Sequence, residues 1–343
     1  MCPLRPPRLP PDAAPSGGSA TPTPPPGRTS SSPPGPSDAP PVPHAGRRGP
    51  LTFAAGVLRT LRPHQWVKNL FVVAPVVFAK NLTHPSIITR TAGAFAIFCL
   101  LAGAVYALND IVDADADRRH PVKRRRPIAA GVVPVAFAKL MVVVLLLVAF
   151  TGAALGPPLF LAVTVAYFVE NLAYSLWLKR VAYVDVGLIA FGFVLRVLAG
   201  GFATLTPISG YMIACTAMLA LFLGFGKRRH EVMAPGAEKQ RAALRAYSPR
   251  ALTIALALTG VASVAAYVLY TLDSHTTEFF KSDLLWLTAI HPAFGVVRFL
   301  QLVAGRPKAE SPTQEMLSDV PFVLNVFVWV AEIVVIVYRL RPT

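Results

Sequence analysis

Nine apolar runs, most of them about 20 residues long, follow one another from about residue 65 towards the end of the chain. A helix needs about 20 apolar residues to cross a bilayer. Charged residues make up only 15% of this chain, against roughly 25% in soluble globular proteins. The sequence therefore predicts an all-α polytopic membrane protein, a helical bundle of about nine transmembrane helices. The runs lie at residues 65–80, 87–108, 132–153, 158–177, 183–203, 208–226, 250–272, 284–303 and 320–338.

The N-terminal segment has a different composition from the rest of the chain. Residues 1–50 hold 17 of the 33 prolines, with serine, glycine, threonine and alanine between them. Such a segment buries too little apolar surface to offset the entropy of ordering it. We therefore expect residues 1–58 to form a disordered, Pro-rich cytoplasmic tail, and residues 59–343 to form the transmembrane catalytic domain. No apolar run of signal-peptide length occurs in the tail, so we do not expect a secretory leader.

The positive charges predict the orientation. The formal net charge is +16, and most lysines and arginines lie in the tail and in alternate loops, which is the bias of cytoplasmic loops. The N-terminus and these loops are therefore expected in the cytoplasm. Anionic lipid or a polyanionic substrate fits this charge, and nucleic acid is not an expected partner. The three cysteines have neither a disulfide framework nor the spacing of a metal site.

An Asp-rich stretch ends the second apolar run. Asn109, Asp113 and Asp117 are spaced i, i+4, i+8 and share one helical face, with Asp110 beside them. Oxygen ligands on one face suit Mg²⁺, which binds one or two carboxylates together with substrate phosphates. The alternative is an interfacial helix end whose aspartates are solvated and paired to nearby arginines.

Basic residues follow this stretch and recur at other helix ends. Lys123 and Arg126 come directly after the aspartates and suit a phosphorylated substrate. Asp185 and Arg196 are eleven residues apart, so one face of the fifth helix could hold both. An intramembrane arginine is a functional candidate. The alternative is a structural ion pair of Arg196 with Asp185 or Glu170. For three further lysines, the sequence favours neither of two roles, an anchor at the membrane surface or a ligand for phosphate: Lys68, Lys179 and Lys227.

These residues form motifs that resemble a known family. Asn109-Asp-x-x-Asp113-x-x-x-Asp117, at the end of the second helix of a nine-helix protein, is similar to the UbiA-type prenyltransferase superfamily. More specific motifs resemble the branch of this superfamily that transfers phosphoribose to a polyprenyl phosphate such as decaprenyl phosphate. Those motifs are Arg62-Pro-x-Gln-Trp-x-Lys68-Asn69, His120-Pro-x-Lys123-x-x-Arg126-Pro, Tyr174-Ser-x-x-Leu-Lys179 with Asp185, Phe193-Val-Leu-Arg196 and Lys227-Arg228. The resemblance covers roughly residues 59–340.

The resemblance implies a reaction and a set of site residues. It implies Mg²⁺-dependent transfer of 5-phosphoribose from phosphoribosyl pyrophosphate (PRPP) to a polyprenyl phosphate, for cell-wall arabinan precursors. The site would lie on the cytoplasmic face of the plasma membrane of a bacterial cell. The resemblance leaves a homo-oligomer open. Metal ligands would be Asn109, Asp113 and Asp117, and the catalytic set would be Asp110, Asp113 and Asp117. Substrate would be bound by Lys68, Tyr106, Lys123, Arg126, Lys179, Asp185, Arg196 and Lys227.

One departure from the superfamily pattern bears on the donor. Aromatic prenyltransferases of this type usually carry a second Asp-rich motif after helix 6, where this chain has Lys227-Arg-Arg-His-Glu231. That basic run fits a donor with an extra phosphate. The enzymatic alternative is an aromatic prenyltransferase with a polyprenyl pyrophosphate donor. A transporter would carry ionisable groups at mid-membrane and broken helices, and a scaffold has no need of carboxylates on one face.

Overall fold

A computed structural model describes residues 49–233, 244, 246–305, 315–316 and 318–338. Most of the predicted tail therefore lies outside the described residues. The described part contains α-helices and short 3₁₀ segments but no strand, which confirms the all-α prediction.

Twelve α-helices follow one another in the described part of the chain. They are α1 (Pro50–Leu61), α2 (Ala74–Phe78), α3 (Pro85–Val112), α4 (Ala114–Arg119), α5 (Val135–Ala154), α6 (Pro158–Leu176), α7 (Val184–Thr204), α8 (Gly210–Met233), α9 (Pro249–Leu272), α10 (Ser274–Phe280), α11 (Ile290–Gly305) and α12 (Val320–Tyr338). The 3₁₀ segments are Pro63–Val72, Asn81–Thr83, Lys123–Arg125, Leu178–Arg180 and Leu285–Ala289.

Proline starts several of these helices. Pro85, Pro158 and Pro249 stand in the first turn of α3, α6 and α9, where the missing backbone N–H would have no intrahelical acceptor anyway. The Asp273 carboxylate caps α10 by accepting a hydrogen bond of 3.2 Å from the Thr276 backbone N–H. These local signals set the helix starts, and apolar composition sets the helix lengths.

Seven described segments are long and apolar enough to cross a membrane, and they match the second to eighth apolar runs of the sequence. They are α3, α5, α6, α7, α8, α9 and the stretch Leu285–Ala304. The ninth run forms a shorter apolar helix, with Val320–Ile336 as its apolar part. The chain is thus a multi-pass membrane protein, and the count of nine spans stays a prediction.

The first run does not form one long helix. Residues Pro63–Val72 are a 3₁₀ segment and α2 adds only one further turn. Two prolines, Pro63 and Pro75, remove backbone donors on either side of the polar group Lys68-Asn69, which explains why a regular α-helix is not sustained here. The irregular backbone places Asn69 inside the protein, where it is 1% exposed.

The first helix begins within the interval assigned to the tail. α1 starts at Pro50, and Phe53 packs edge-on against Phe137, with the ring centroids 4.9 Å apart. Val57 packs against Ile128 and other buried residues of the bundle. These apolar contacts order the segment before residue 59, where the sequence interpretation began the transmembrane domain.

Successive membrane-spanning helices pack against one another, α3 with α5, α6 with α7 and α8 with α9, while α7 contacts both α3 and α8. The largest buried cluster includes Phe98, Leu101, Phe160, Tyr167 and Leu195, and it joins α3, α6 and α7. α7 therefore stands at the centre of the bundle, with the 3₁₀ segment Pro63–Val72 against it.

Gly200 allows this close approach of α7 to the 3₁₀ segment. An alanine methyl group at Gly200 would lie 1.9 Å from the Val72 carbonyl oxygen. Gly200→Ala should therefore force the two backbones apart and lower the free energy of unfolding by about 1–3 kcal/mol, the usual cost of overpacking. The measurement is thermal unfolding in detergent. Gly187→Ala, in the same helix with no atom within 4 Å, is the matched control, and an equal loss of stability in both variants would contradict the prediction.

Candidate active site

The helical path continues through the Asp-rich stretch, as its spacing predicts. α3 ends at Val112, but the Asp113 backbone N–H donates to the Asn109 carbonyl at 2.9 Å, and the Asp117 N–H donates to the Asp113 carbonyl at 2.8 Å. Asn109, Asp113 and Asp117 therefore remain on one side of the helical path across the junction of α3 and α4. Asn109 and Asp113 are half-buried, and Asp117 is buried.

Arg62 and Arg126 form ion pairs with Asp110 and Asp117. Arg62 Nη2 donates to Asp110 Oδ1 at 2.7 Å. Arg126 Nη1 lies 3.1 Å from the same oxygen and 2.7 Å from Asp117 Oδ2. Both carboxylates are almost fully buried, so each needs such a partner. The paired arrangement named above as the alternative thus holds for Asp110 and Asp117.

Asn109 and Asp113 have a different environment. Among the described residues, neither side chain makes a hydrogen bond or an ion pair. Within the same residues, no three His, Cys, Asp or Glu side chains converge to hold a metal ion. Mg²⁺ typically binds through one or two carboxylates and completes its shell with water and substrate phosphates. The unpartnered oxygens of Asn109 and Asp113 fit that incomplete shell.

Arg196 lies buried on α7, and neutral groups hold it. Its Nε donates to Asn69 Oδ1 at 2.9 Å, its Nη1 to the Gly192 carbonyl at 2.9 Å and its Nη2 to Tyr167 Oη at 2.6 Å. The guanidinium also lies over the Tyr167 ring, 4.7 Å from its centroid. No acidic side chain of the described residues pairs with it, so the ion pair with Asp185 or Glu170, named above as the alternative, does not form there. A buried cation without an ion-pair partner among the described residues suits an anionic ligand.

Asp185 instead belongs to a buried network at the ends of α7 and α8. Arg228 Nε lies 2.7 Å from Asp185 Oδ2, and the Tyr247 hydroxyl donates to Asp185 Oδ1. Tyr247 Oη also accepts a hydrogen bond of 2.9 Å from the Tyr183 backbone N–H. Desolvation and the Asp185 carboxylate raise the pKa of Tyr247, which keeps its hydroxyl protonated as a donor. Both Asp185 oxygens are therefore occupied by protein groups, although the sequence interpretation had assigned this residue to substrate.

Lys68 lies close to several other cations. Part of the Lys68 residue remains exposed. Desolvation by the surrounding protein lowers the pKa of Lys68 from 10.5 to about 8, and the positive charges of Lys227, Arg196 and Arg62 lower it in the same direction. Arg62 and Lys68 belong to the same motif, and Arg196 and Lys227 come from two other parts of the sequence. We call these four residues the cation group. Repulsion among them favours an anion in their midst.

The lowered pKa of Lys68 predicts opposite pH effects on ligand binding and on stability. Lys68 loses its proton as the pH rises through about 8, so the KM of an anionic substrate should rise above that pH, by up to about tenfold per pH unit. The free protein should gain stability between about 8 and the ordinary value of 10.5, because the unfolded chain binds more protons there. Steady-state kinetics and thermal unfolding across this range measure both trends. Lys68→Arg should abolish both, and a KM that stays flat in the parent protein would contradict the prediction.

The remaining predicted residues lie in four separate elements of the fold. Tyr106 lies below Arg62, whose guanidinium carbon is 5.0 Å from the ring centroid. Lys123 is exposed and Lys179 is half-buried, each in its own 3₁₀ segment. Lys227 lies 4.0 Å from Glu231, one turn further along α8. The predicted site is thus partly assembled around α3, α7 and α8.

The structure adds residues that the sequence interpretation did not assign to the site. Arg62, Asn69 and Arg228 stand within the motifs quoted above, and their place there was the available signal. Tyr167, which accepts from Arg196, and Tyr247, which donates to Asp185, gave no comparable signal. The partners of these tyrosines lie 29 and 62 positions away in sequence.

Comparisons with known proteins identify the family of this chain. Residues 69–231 match the model of the UbiA prenyltransferase family. A UbiA homologue of Archaeoglobus fulgidus bound to DMAPP and Mg²⁺ has a similar fold, with a TM-score of 0.64 at 18% identity, and covers 83% of this chain and 100% of that one. The chain belongs to the UbiA prenyltransferase family and shares the fold of its membrane-embedded enzymes.

More similar sequences indicate the branch within that family. A decaprenyl-phosphate phosphoribosyltransferase of Mycobacterium tuberculosis is 33% identical over 294 residues, which is 83% of this chain and 95% of the relative. The enzyme of the same name from Corynebacterium glutamicum is 33% identical over 311 residues, 85% of this chain and 90% of the relative. The chain is similar to these enzymes over most of its own length.

Proposed function

We propose that this chain transfers 5-phosphoribose from PRPP to a polyprenyl phosphate such as decaprenyl phosphate. An oxygen of the lipid phosphate bonds to the anomeric carbon of the ribose, and the bond from that carbon to pyrophosphate breaks. The products are polyprenyl-phosphoryl-5-phosphoribose and pyrophosphate. The names of the relatives described above support both the transferred group and the lipid acceptor.

One observation carries the proposal. The cation group of Lys68, Arg196, Lys227 and Arg62 lies beside the Asp-rich end of α3, and Lys227 stands where related aromatic prenyltransferases carry their second Asp-rich motif. PRPP brings a 5-phosphate besides its pyrophosphate, and the acceptor brings a further phosphate. A reaction that assembles three phosphorylated groups needs this excess of positive charge.

The Asp-rich face supplies the metal-binding part of the site. Asn109 and Asp113 would hold Mg²⁺, with Asp117 and Asp110 close by as further ligands or as partners that orient the site. Bound Mg²⁺ would neutralise the pyrophosphate as it leaves. Arg62 and Arg126 pair with Asp110 and Asp117 and hold the two carboxylates in place before substrate arrives.

The basic residues divide into those that hold the donor and those that complete the pocket. Arg126 uses only Nη1 towards the aspartates, so Nε and Nη2 remain for a donor phosphate. Lys68, Tyr106 and Lys123 would contact the donor as well. Lys179, Lys227 and Arg196 would complete the anion pocket, in which Arg196 would hold a donor phosphate and the two lysines would receive the lipid phosphate. Asp185 would act indirectly, by fixing Arg228 beside Lys227.

The membrane places the two substrates. The lipid acceptor would enter from the bilayer between helices, and the water-soluble donor would enter from the cytoplasm, where the basic loops are expected. A phosphate monoester is already largely ionised near neutral pH. The attacking oxygen therefore needs no strong general base, and the protein contributes positioning and charge stabilisation.

The direct test is transfer of label from radiolabelled PRPP into the organic phase, with purified protein, polyprenyl phosphate and Mg²⁺. We expect transfer that EDTA abolishes and added Mg²⁺ restores. Activity on a polyprenyl pyrophosphate and an aromatic acid, without transfer from PRPP, would contradict the proposal and favour the aromatic branch.

Protease accessibility of the segment between α8 and α9 in sealed inside-out and right-side-out vesicles tests the cytoplasmic orientation.

A further inference from the structure

Glu170 is an ionisable side chain within the membrane helix α6, and the reaction described above gives it no role. Its Oε2 accepts one hydrogen bond of 2.8 Å from Asn171 Nδ2. Among the described residues it forms no ion pair. A carboxylate offers about four acceptor positions, so most of this capacity is unused. Burying an acidic side chain inside a membrane bundle costs free energy, so such a residue is a candidate for a functional role.

Glu170 stands next to Arg196 without touching it. A methyl group built on Gly192 would lie 3.4 Å from Glu170 Oε2 and 3.6 Å from Arg196 Nη1. The carboxylate and the guanidinium therefore border the same small space, yet no nitrogen–oxygen distance between them is within 4.0 Å. Glycine at position 192 leaves this space open on the α7 side. Two opposite charges held apart in this way suit a ligand that carries groups complementary to both.

The nature of such a ligand follows from what each charge prefers. Arg196 takes anionic oxygens, and an ionised carboxylate can only accept hydrogen bonds, so it takes hydroxyl donors. Acidic side chains hold ribose hydroxyls in this way in dinucleotide-binding folds. A phosphoribosyl group presents phosphate oxygens and adjacent hydroxyls together. A prenyl pyrophosphate presents phosphate oxygens and a hydrocarbon chain, which would leave the carboxylate desolvated and unpaired.

We propose that Glu170 accepts hydrogen bonds from the ribose hydroxyls of the donor and selects a sugar donor over a prenyl donor. This assignment rests on the proposed function, because it identifies the ribose part of the same site. The selection has two components. The carboxylate attracts a hydroxylated donor, and it repels an apolar chain that cannot satisfy it.

The test combines one substitution with changes in the donor. Glu170→Gln keeps the size of the side chain and removes its charge. We expect the KM for PRPP to rise about 10- to 100-fold, the range for a hydrogen bond to a charged group, with the KM for polyprenyl phosphate unchanged. In the parent protein, the 2-deoxy or the 3-deoxy donor analogue should lose a similar factor against PRPP. In Glu170→Gln that loss should largely disappear, because the same interaction cannot be removed twice.

Two controls separate this role from a structural one. Glu332→Gln makes the same chemical change in α12, where His291 Nε2 lies 2.8 Å from Glu332, and it should leave the KM for PRPP unchanged. Glu170→Asp keeps the charge with a shorter reach and should give an intermediate KM, which covers the case that the glutamine variant does not fold. Discrimination against the deoxy donors that stays at the parent level in both Glu170 variants would overturn the assignment. A parent protein that transfers no phosphoribose would overturn the proposed function itself.

Discussion

Asp113→Ala is expected to lower kcat at least about 1,000-fold, which corresponds to about 4 kcal/mol of transition-state stabilisation. The carboxylate makes no hydrogen bond or ion pair with another described side chain, so its removal leaves no partner unpaired and should leave the fold intact. The expected result is therefore a protein that unfolds at the parent temperature in detergent but no longer transfers phosphoribose. Label transfer and thermal unfolding on the same preparation measure the two effects.

Two neighbouring aspartates provide the comparison. Asp115 has an 85% exposed side chain and pairs only with Arg118, and such surface pairs contribute at most about 1 kcal/mol. Asp115→Ala should therefore keep both activity and stability. Asp117→Ala removes a buried partner of Arg126, so it should lose activity and also lower the free energy of unfolding more than Asp115→Ala does.

The three variants together test the metal assignment. If Asp113 acted only as a solvated helix end, Asp113→Ala would behave like Asp115→Ala. A double variant, Asp113→Ala with Asp117→Ala, that still transferred phosphoribose would exclude the Asp-rich face as the Mg²⁺ site. Mg²⁺ titration of the residual activity gives a second measurement, because loss of a ligand should raise the Mg²⁺ concentration needed for half-maximal rate.

Composition and periodicity were enough to predict the features that depend on neighbouring residues. Seven of the apolar runs became candidate membrane spans, because helix length and apolar content are local properties. The Asp-rich spacing carried through the junction of α3 and α4 because i to i+4 hydrogen bonds persist there. The first run was harder, since Pro63 and Pro75 break a stretch whose apolar composition alone suggests a helix.

Pairings between distant segments could not be derived from spacing. Asp185 and Arg196 are placed to share a face of α7, but a competing arginine from α8 takes the Asp185 carboxylate. Arg196 instead bonds to Asn69, which is 127 positions away. The 3₁₀ backbone that directs Asn69 inward depends on the close contact between Val72 and Gly200. Helix periodicity shows which residues share a face, but tertiary packing determines which partner each residue meets.

Arg196→Gln is expected to reduce kcat/KM about 100- to 1,000-fold, the usual effect of removing one preorganised donor group from a site of charge stabilisation. Its effect on stability should be small, because two terms oppose each other. Loss of the charge leaves Asn69, Tyr167 and the Gly192 carbonyl short of donors, at a cost of about 1–3 kcal/mol. The same loss removes a buried cation that forms no ion pair with any described acidic side chain, and the desolvation penalty of such a cation is several kcal/mol.

The balance of these two terms distinguishes an anion-binding arginine from a structural one. An arginine in a buried ion pair costs about 3–5 kcal/mol of stability when it is removed, because its acidic partner remains uncompensated. Arg228, which pairs with Asp185 and Glu231, should behave in that way, so Arg228→Gln is the matched comparison. Tyr167→Phe keeps the ring beneath Arg196 and removes only the acceptor of its Nη2. It should lower kcat/KM by about tenfold, the value of one ordinary hydrogen bond. Arg196→Gln that unfolds as readily as Arg228→Gln while its folded fraction keeps full activity would assign Arg196 to the fold and remove it from the site.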